Sequence, residues 1–170
     1  VNQLAAAVVG MGGSFNVSDL TFSFNDALCD EIGANKLLPF ITNTTWKDYI
    51  KDKAIKPIIT HIQDAIDVAH RSKDKGAAAR YEAGKVLMEE TKRLVSQLGD
   101  LLSTSEIQYQ TIVDKLGLEI LQCGIDYYND SEEPDAAKKA MVLQWYAKDI
   151  VVGQMAIDRC KENVDILQKI

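Results

Sequence analysis

Proline and glycine are scarce in this 170-residue chain, at 3 and 10, too few for the many turns of an all-β sandwich or a propeller. Cysteine is scarce as well. Cys29, Cys123 and Cys160 are an odd number at wide spacing, which gives neither a disulfide framework nor a CxxC metal pair. That usage leans towards buried thiols in a reducing, cytoplasmic compartment. The only histidines, His61 and His70, lie nine residues apart on one predicted helix. They point to opposite faces and cannot chelate one ion together; His70 is expected to pair with Asp67 at i, i+3. No Glu-x-x-His occurs, which excludes the di-iron bundle pattern. The opening stretch, Leu4 to Gly13, is uncharged, but its apolar part is far short of the roughly 20 residues that cross a bilayer.

What is present is an ordinary globular composition, 46% hydrophobic and 26% charged, with a net charge of -6. Disorder and a polytopic membrane protein are excluded. The acidic balance argues against nucleic acid, whose binding draws on phosphate neutralisation. Lys47, Lys51, Lys53, Lys56, Arg71, Lys73 and Lys75 form the one basic stretch, and Asp48, Asp52 and Asp74 interrupt it as on a solvated helical face. The triplets at Asn16, Asn43 and Asn129 fit the N-x-Ser/Thr acceptor pattern, but without a visible secretory signal they carry little. The chain starts at Val1 and ends at Ile170 within a helical pattern, so it is expected to be a fragment or a processed chain. Residues 1 to 17 read as a Gly-rich lead-in, a candidate trimmed end of a membrane or signal segment, and 18 to 170 as a single helical domain.

Apolar residues recur at steps of three and four. A short helix is expected around Leu20, Phe24, Leu28 and Ile32, and Pro39 marks a break. Thr45 suits the N-cap of another short helix with Trp46, Tyr49 and Ile50, while Pro57 suits the first turn of the helix after it. From there the stripe Ile55, Ile58, Ile59, Ile62, Ile66, Ala69 recurs at helical steps. A turn at Asp74 to Gly76 leads to a segment over 77 to 98 with Tyr81, Gly84, Leu87, Met88, Thr91, Leu94, Val95 and Leu98 on one face. Ser103 to Ser105 offer caps for a third long helix, striped by Ile112, Val113, Leu116, Ile120, Cys123, Gly124 and Tyr127. From about Pro134 a last helix runs to the end through Ala140, Leu143, Ala147, Ile150, Ile157, Cys160, Val164 and Leu167. At 1.5 Å per residue it would extend ~54 Å, so part of it must overhang, bend near Gly153, or pack on the N-terminal helices. The fold class is therefore all-α: an antiparallel bundle of three to four long helices, with short N-terminal helices on one end or side. Ala136, Ala140, Tyr146 and Ala147 have the small and aromatic spacing of tetratricopeptide helices, but the tryptophan, Gly-Tyr and closing proline of that repeat do not line up.

No residue set names a reaction. Ala5 to Phe15 has Gly10 and Gly12 of a dinucleotide loop, yet Phe15 stands at the third glycine and no second βαβ unit follows. A nucleophilic pair of Cys29 with either histidine has no local signature. The run Asp126, Asp130, Glu132, Glu133, Asp135 lacks the order of a calcium loop and reads as a solvated helix junction. No catalytic, cofactor or metal site is assigned. The aromatics flanking that junction, Tyr127, Tyr128, Trp145 and Tyr146, are the candidate partner-binding residues, because adjacent aromatics on a helix cannot all face one core and Tyr and Trp dominate binding hot spots. The expectation is a non-catalytic interaction or scaffold domain that meets a protein partner, not nucleic acid or a membrane. The alternative is a sensor that holds a small ligand between long helices beside Tyr81, Met88, Tyr109 or Tyr127.

Overall fold

The structure, a computed structural model, describes Leu38, Ile41 and residues 44 to 169, the side chain of Trp46 aside. The lead-in, the short helix around Leu20 to Ile32, the break at Pro39, Cys29, and the triplets at Asn16 and Asn43 lie outside the described residues. The chain divides into two units, Val1–Lys56 and Pro57–Ile170. Five α-helices are described: α1 Thr44–His70, α2 Ala77–Leu101, α3 Ile107–Asp130, α4 Ala136–Ile150 and α5 Gln154–Leu167. The fold is an all-α helical bundle.

The first unit contributes the opening of α1, in which Ile50 and Ile55 are buried. A short helix from Thr45 and a second helix with Pro57 in its first turn were expected, and one continuous helix is found with Pro57 inside it. Pro57 is exposed, so the donor it lacks is lost on the side where water can satisfy the facing carbonyl.

In the second unit the apolar stripes become the core. All seven stripe residues of α3 are buried, as are Gly84, Leu87, Thr91, Leu94 and Leu98 of α2 and Ala140, Leu143 and Ala147 of α4. Contacts fix the helix directions. Arg80 meets Asp126 while Gly99 meets Tyr109, so α2 and α3 are antiparallel. Gly117 faces Ala147 and Val151 while Gly124 faces Ala140, so α3 and α4 are antiparallel as well. Gln63 reaches Lys115 and His70 reaches Glu119, so the end of α1 runs parallel to α3. Gly117 and Gly124, seven residues apart, share one face of α3 and let the backbone of α4 close in; a Cβ at Gly124 would lie 3.2 Å from the Ala140 carbonyl oxygen.

The single last helix breaks at Val151 to Gly153 into α4 and α5. Asp114 of α3 explains the site of the break. Its carboxylate accepts hydrogen bonds from the N–H of Val152 at 2.8 Å and of Gly153 at 3.1 Å, placing a negative charge at the positive end of α5. A side chain at position 153 would run into that carboxylate, so any residue but glycine there makes Asp114 give way.

Candidate functional site

The most distinctive polar feature is a buried arginine. Arg80 is 1% exposed and in register with the apolar stripe of α2. Its Nη2 lies 2.8 Å from Glu119 Oε1, its Nε donates to Asp126 Oδ2 at 2.8 Å, and its Nη1 donates to the Ala69 carbonyl at 2.8 Å. Burial alone would lower the guanidinium pKa; Asp126 and Glu119 outweigh it and hold the group above its usual value. Glu119 also meets His70 Nδ1 at 3.2 Å, so His70 pairs across helices and not with Asp67, which instead accepts from Gln63. Asp126 further accepts from Gln122 at 2.7 Å, and Gln122 accepts from Arg159 of α5 at 2.9 Å. Arg80 thus ties the last turn of α1 to α2 and α3.

The loop after α1 completes this clamp. Ser72 Oγ donates to the Ala69 carbonyl at 2.6 Å, a 3-10 turn follows over Lys73–Lys75, and Gly76 takes φ 89° and ψ 165°, a conformation open essentially to glycine. The clamp sets the spacing of α1 and α2, and between them runs a groove of about 410 Å³. Its apolar lining comes from Ala65, Val68, Ala69, Ala79, Ala83, Val86 and Leu87, with Glu82 and Glu90 along α2 and Lys75 at the loop end. Val68 is 62% and Val86 44% exposed.

The predicted aromatics are placed differently from one another. Tyr127 is buried at 1%, its ring 4.7 Å from that of Tyr81, and its hydroxyl donates to Glu133 at 3.1 Å. Tyr128 is half-buried and packs on the cluster of Tyr127, Ala136, Ala140 and Leu167. Tyr146 is half-buried, and burial followed by nearby Glu89 raises its phenol pKa. Trp145 reaches solvent at 40% exposure, one turn from Val142 on the outside of α4, with Lys148 Nζ 4.5 Å from its ring centroid. The four residues therefore do not form one surface.

The remaining candidates are dispersed. Of the acidic junction, Glu133 and Asp135 hold Lys139, whose ammonium stays above its usual pKa, chiefly through Glu133. Asp126 belongs to the arginine clamp. Among the described residues no three His, Cys, Asp or Glu side chains converge as a metal set, and no helix is long and apolar enough to cross a membrane. Tyr109 is buried, and Tyr81 and Met88 are half-buried. The helices around them close tightly: a Cβ at Gly84 would lie 2.8 Å from both Cys123 Cβ and Leu143 Cδ1. Cys123 is a free, buried thiol pushed up to about 12 by burial.

Sequence reading did not find the groove or the clamp. Arg80 is one turn before Gly84 on the stripe, and a lone arginine there demands acidic partners. Val68 and Val86 lie off the stripes of their helices, which is the signal of an apolar surface beyond the core. No protein-family model, curated protein or solved structure matches this chain.

Proposed function

We propose that this bundle is a non-catalytic interaction domain that binds a protein partner in the groove between α1 and α2. The carrying observation is the pair Val68 and Val86, exposed across a concave apolar floor. Exposed apolar residues scattered singly are ordinary, but grouped in a concavity with a polar rim they mark an interaction surface. The Arg80 clamp supports the reading, because it fixes both walls before any partner arrives and so lowers the ordering cost of binding. Trp145 with Val142 gives a second exposed pair on α4.

The test uses the full chain, tagged and recovered from its cell of origin, beside the variants V68D/V86D and W145S. The expected result is that V68D/V86D keeps the helical circular dichroism and loses the co-purifying protein, whereas W145S retains it. Retention of that protein by V68D/V86D would overturn the groove as the binding surface.

A further inference from the structure

We infer that the occupant of the α1–α2 groove is an amphipathic helix of a partner protein, with large apolar side chains on one face and lysine or arginine beside them; this rests on the reading of the groove as the partner surface. Shape comes first. Both walls are helices, whose backbone donors and acceptors are used internally, so the groove offers no strand edge to extend and must be filled by side chains. Its floor is small: Ala65 and Ala69 from α1 face Ala79 and Ala83 from α2. A floor of alanines leaves room for leucine- or phenylalanine-sized groups at i, i+3, i+4 and i+7 of an incoming helix, and Val68 and Val86 supply apolar shoulders.

Charge then selects the flank. Glu82 and Glu90 line the groove on α2, eight residues and so about 12 Å apart. Lys85 approaches Glu82 at 3.2 Å, but both side chains are exposed, and such a surface pair is weak enough to open to an incoming cation; among the described residues the only cation that lines the groove is Lys75, at the loop. The rim along α2 is therefore acidic, and it complements basic residues spaced two turns apart on the incoming helix. The same charges orient it. The positive end of a helix dipole is favoured near Glu90 and the negative end near Lys75, so the partner helix runs parallel to α1 and antiparallel to α2. From Ala77, beside Lys75, to Glu90 the α2 wall offers about 20 Å, close to four helical turns.

The experiment titrates the full chain into two fluorescent peptides of about 16 residues, long enough for four turns, sharing one leucine and phenylalanine face. One is flanked by lysine and arginine, the other by glutamate. Fluorescence anisotropy is expected to give at least ten-fold tighter binding of the basic peptide, weakening as salt rises, and E82K/E90K is expected to invert the ranking with the helical circular dichroism unchanged. Equal binding of both peptides, binding of neither, or an unchanged ranking in E82K/E90K would overturn the proposal. So would sedimentation showing that a second copy of this chain fills the groove, with V86D restoring the monomer. If neither peptide binds but V68D/V86D still strips the native partner, the helix chemistry falls and the groove stands; if V68D/V86D changes nothing, both fall.

Discussion

Replacing Arg80 by methionine keeps an unbranched stem and removes the guanidinium with its charge. Three groups lose a partner at once: Glu119, Asp126 and the Ala69 carbonyl. Breaking a buried ion pair from one side costs about 3–5 kcal/mol. The two carboxylates are 12% and 18% exposed, so water recovers part of this and the lower end, about 3 kcal/mol, is expected. For a chain of this size that lowers Tm by about 6–12 °C. Urea titration followed by circular dichroism measures the first number and a thermal scan the second. The sharper comparison is R80M/E119L/D126L, in which no charge is left stranded. It is expected to recover most of the stability, since an apolar replacement of a whole buried cluster is often neutral or better. A loss below about 1 kcal/mol in R80M would refute the clamp, because even one stranded buried polar group costs that much. A triple variant no more stable than R80M would refute the electrostatic account of it.

Four further outcomes follow from the geometry. Gly117→Ala drives a Cβ into Val151 Cγ1 and is expected to cost about 1–3 kcal/mol in urea titration. Gly76→Ala leaves open space around the new Cβ but forces alanine to φ 89°, with a loss of about 1–3 kcal/mol measured in the same way. Asp114→Ala frees the N–H groups of Val152 and Gly153, and faster amide exchange is expected at those two positions ahead of the rest of α5. Burial holds the Cys123 thiol protonated up to about 12, against 9.0 unperturbed. Its folded pKa is raised, so its contribution is complete below pH 9 and is lost as pH climbs towards 12, at up to about 1.4 kcal/mol per pH unit. Cys123→Ala is expected to flatten that alkaline decline in a pH series of urea titrations, and a slope unchanged by the substitution would contradict the assignment.

The helices were legible where periodicity alone decides. The α3 stripe from Ile112 to Tyr127 is buried without exception, and α2 starts at Ala77, after the turn that Gly76 marks. Legibility failed where a distant residue decides. The bend in the last helix was one of three expectations, and what fixes it at Val151 to Gly153 is Asp114, 38 or more residues earlier on another helix. His70 pairs with Glu119, 49 residues on, where local spacing had pointed to Asp67. The aromatic junction shows the same limit: adjacency on a helix implied that some rings are exposed, and tertiary packing chose Trp145 for solvent and Tyr127 for the core. The groove needed two off-stripe valines on different helices to be seen as neighbours, and only the loop and the Arg80 clamp bring them together.

The most direct measurement is hydrogen–deuterium exchange on the full chain with its native partner bound and with the partner removed. The account predicts added protection in residues 65 to 72 and 79 to 90, the two walls of the groove, with α4 unchanged. Protection confined to residues 136 to 150 around Trp145, with both groove walls unaffected, would contradict it.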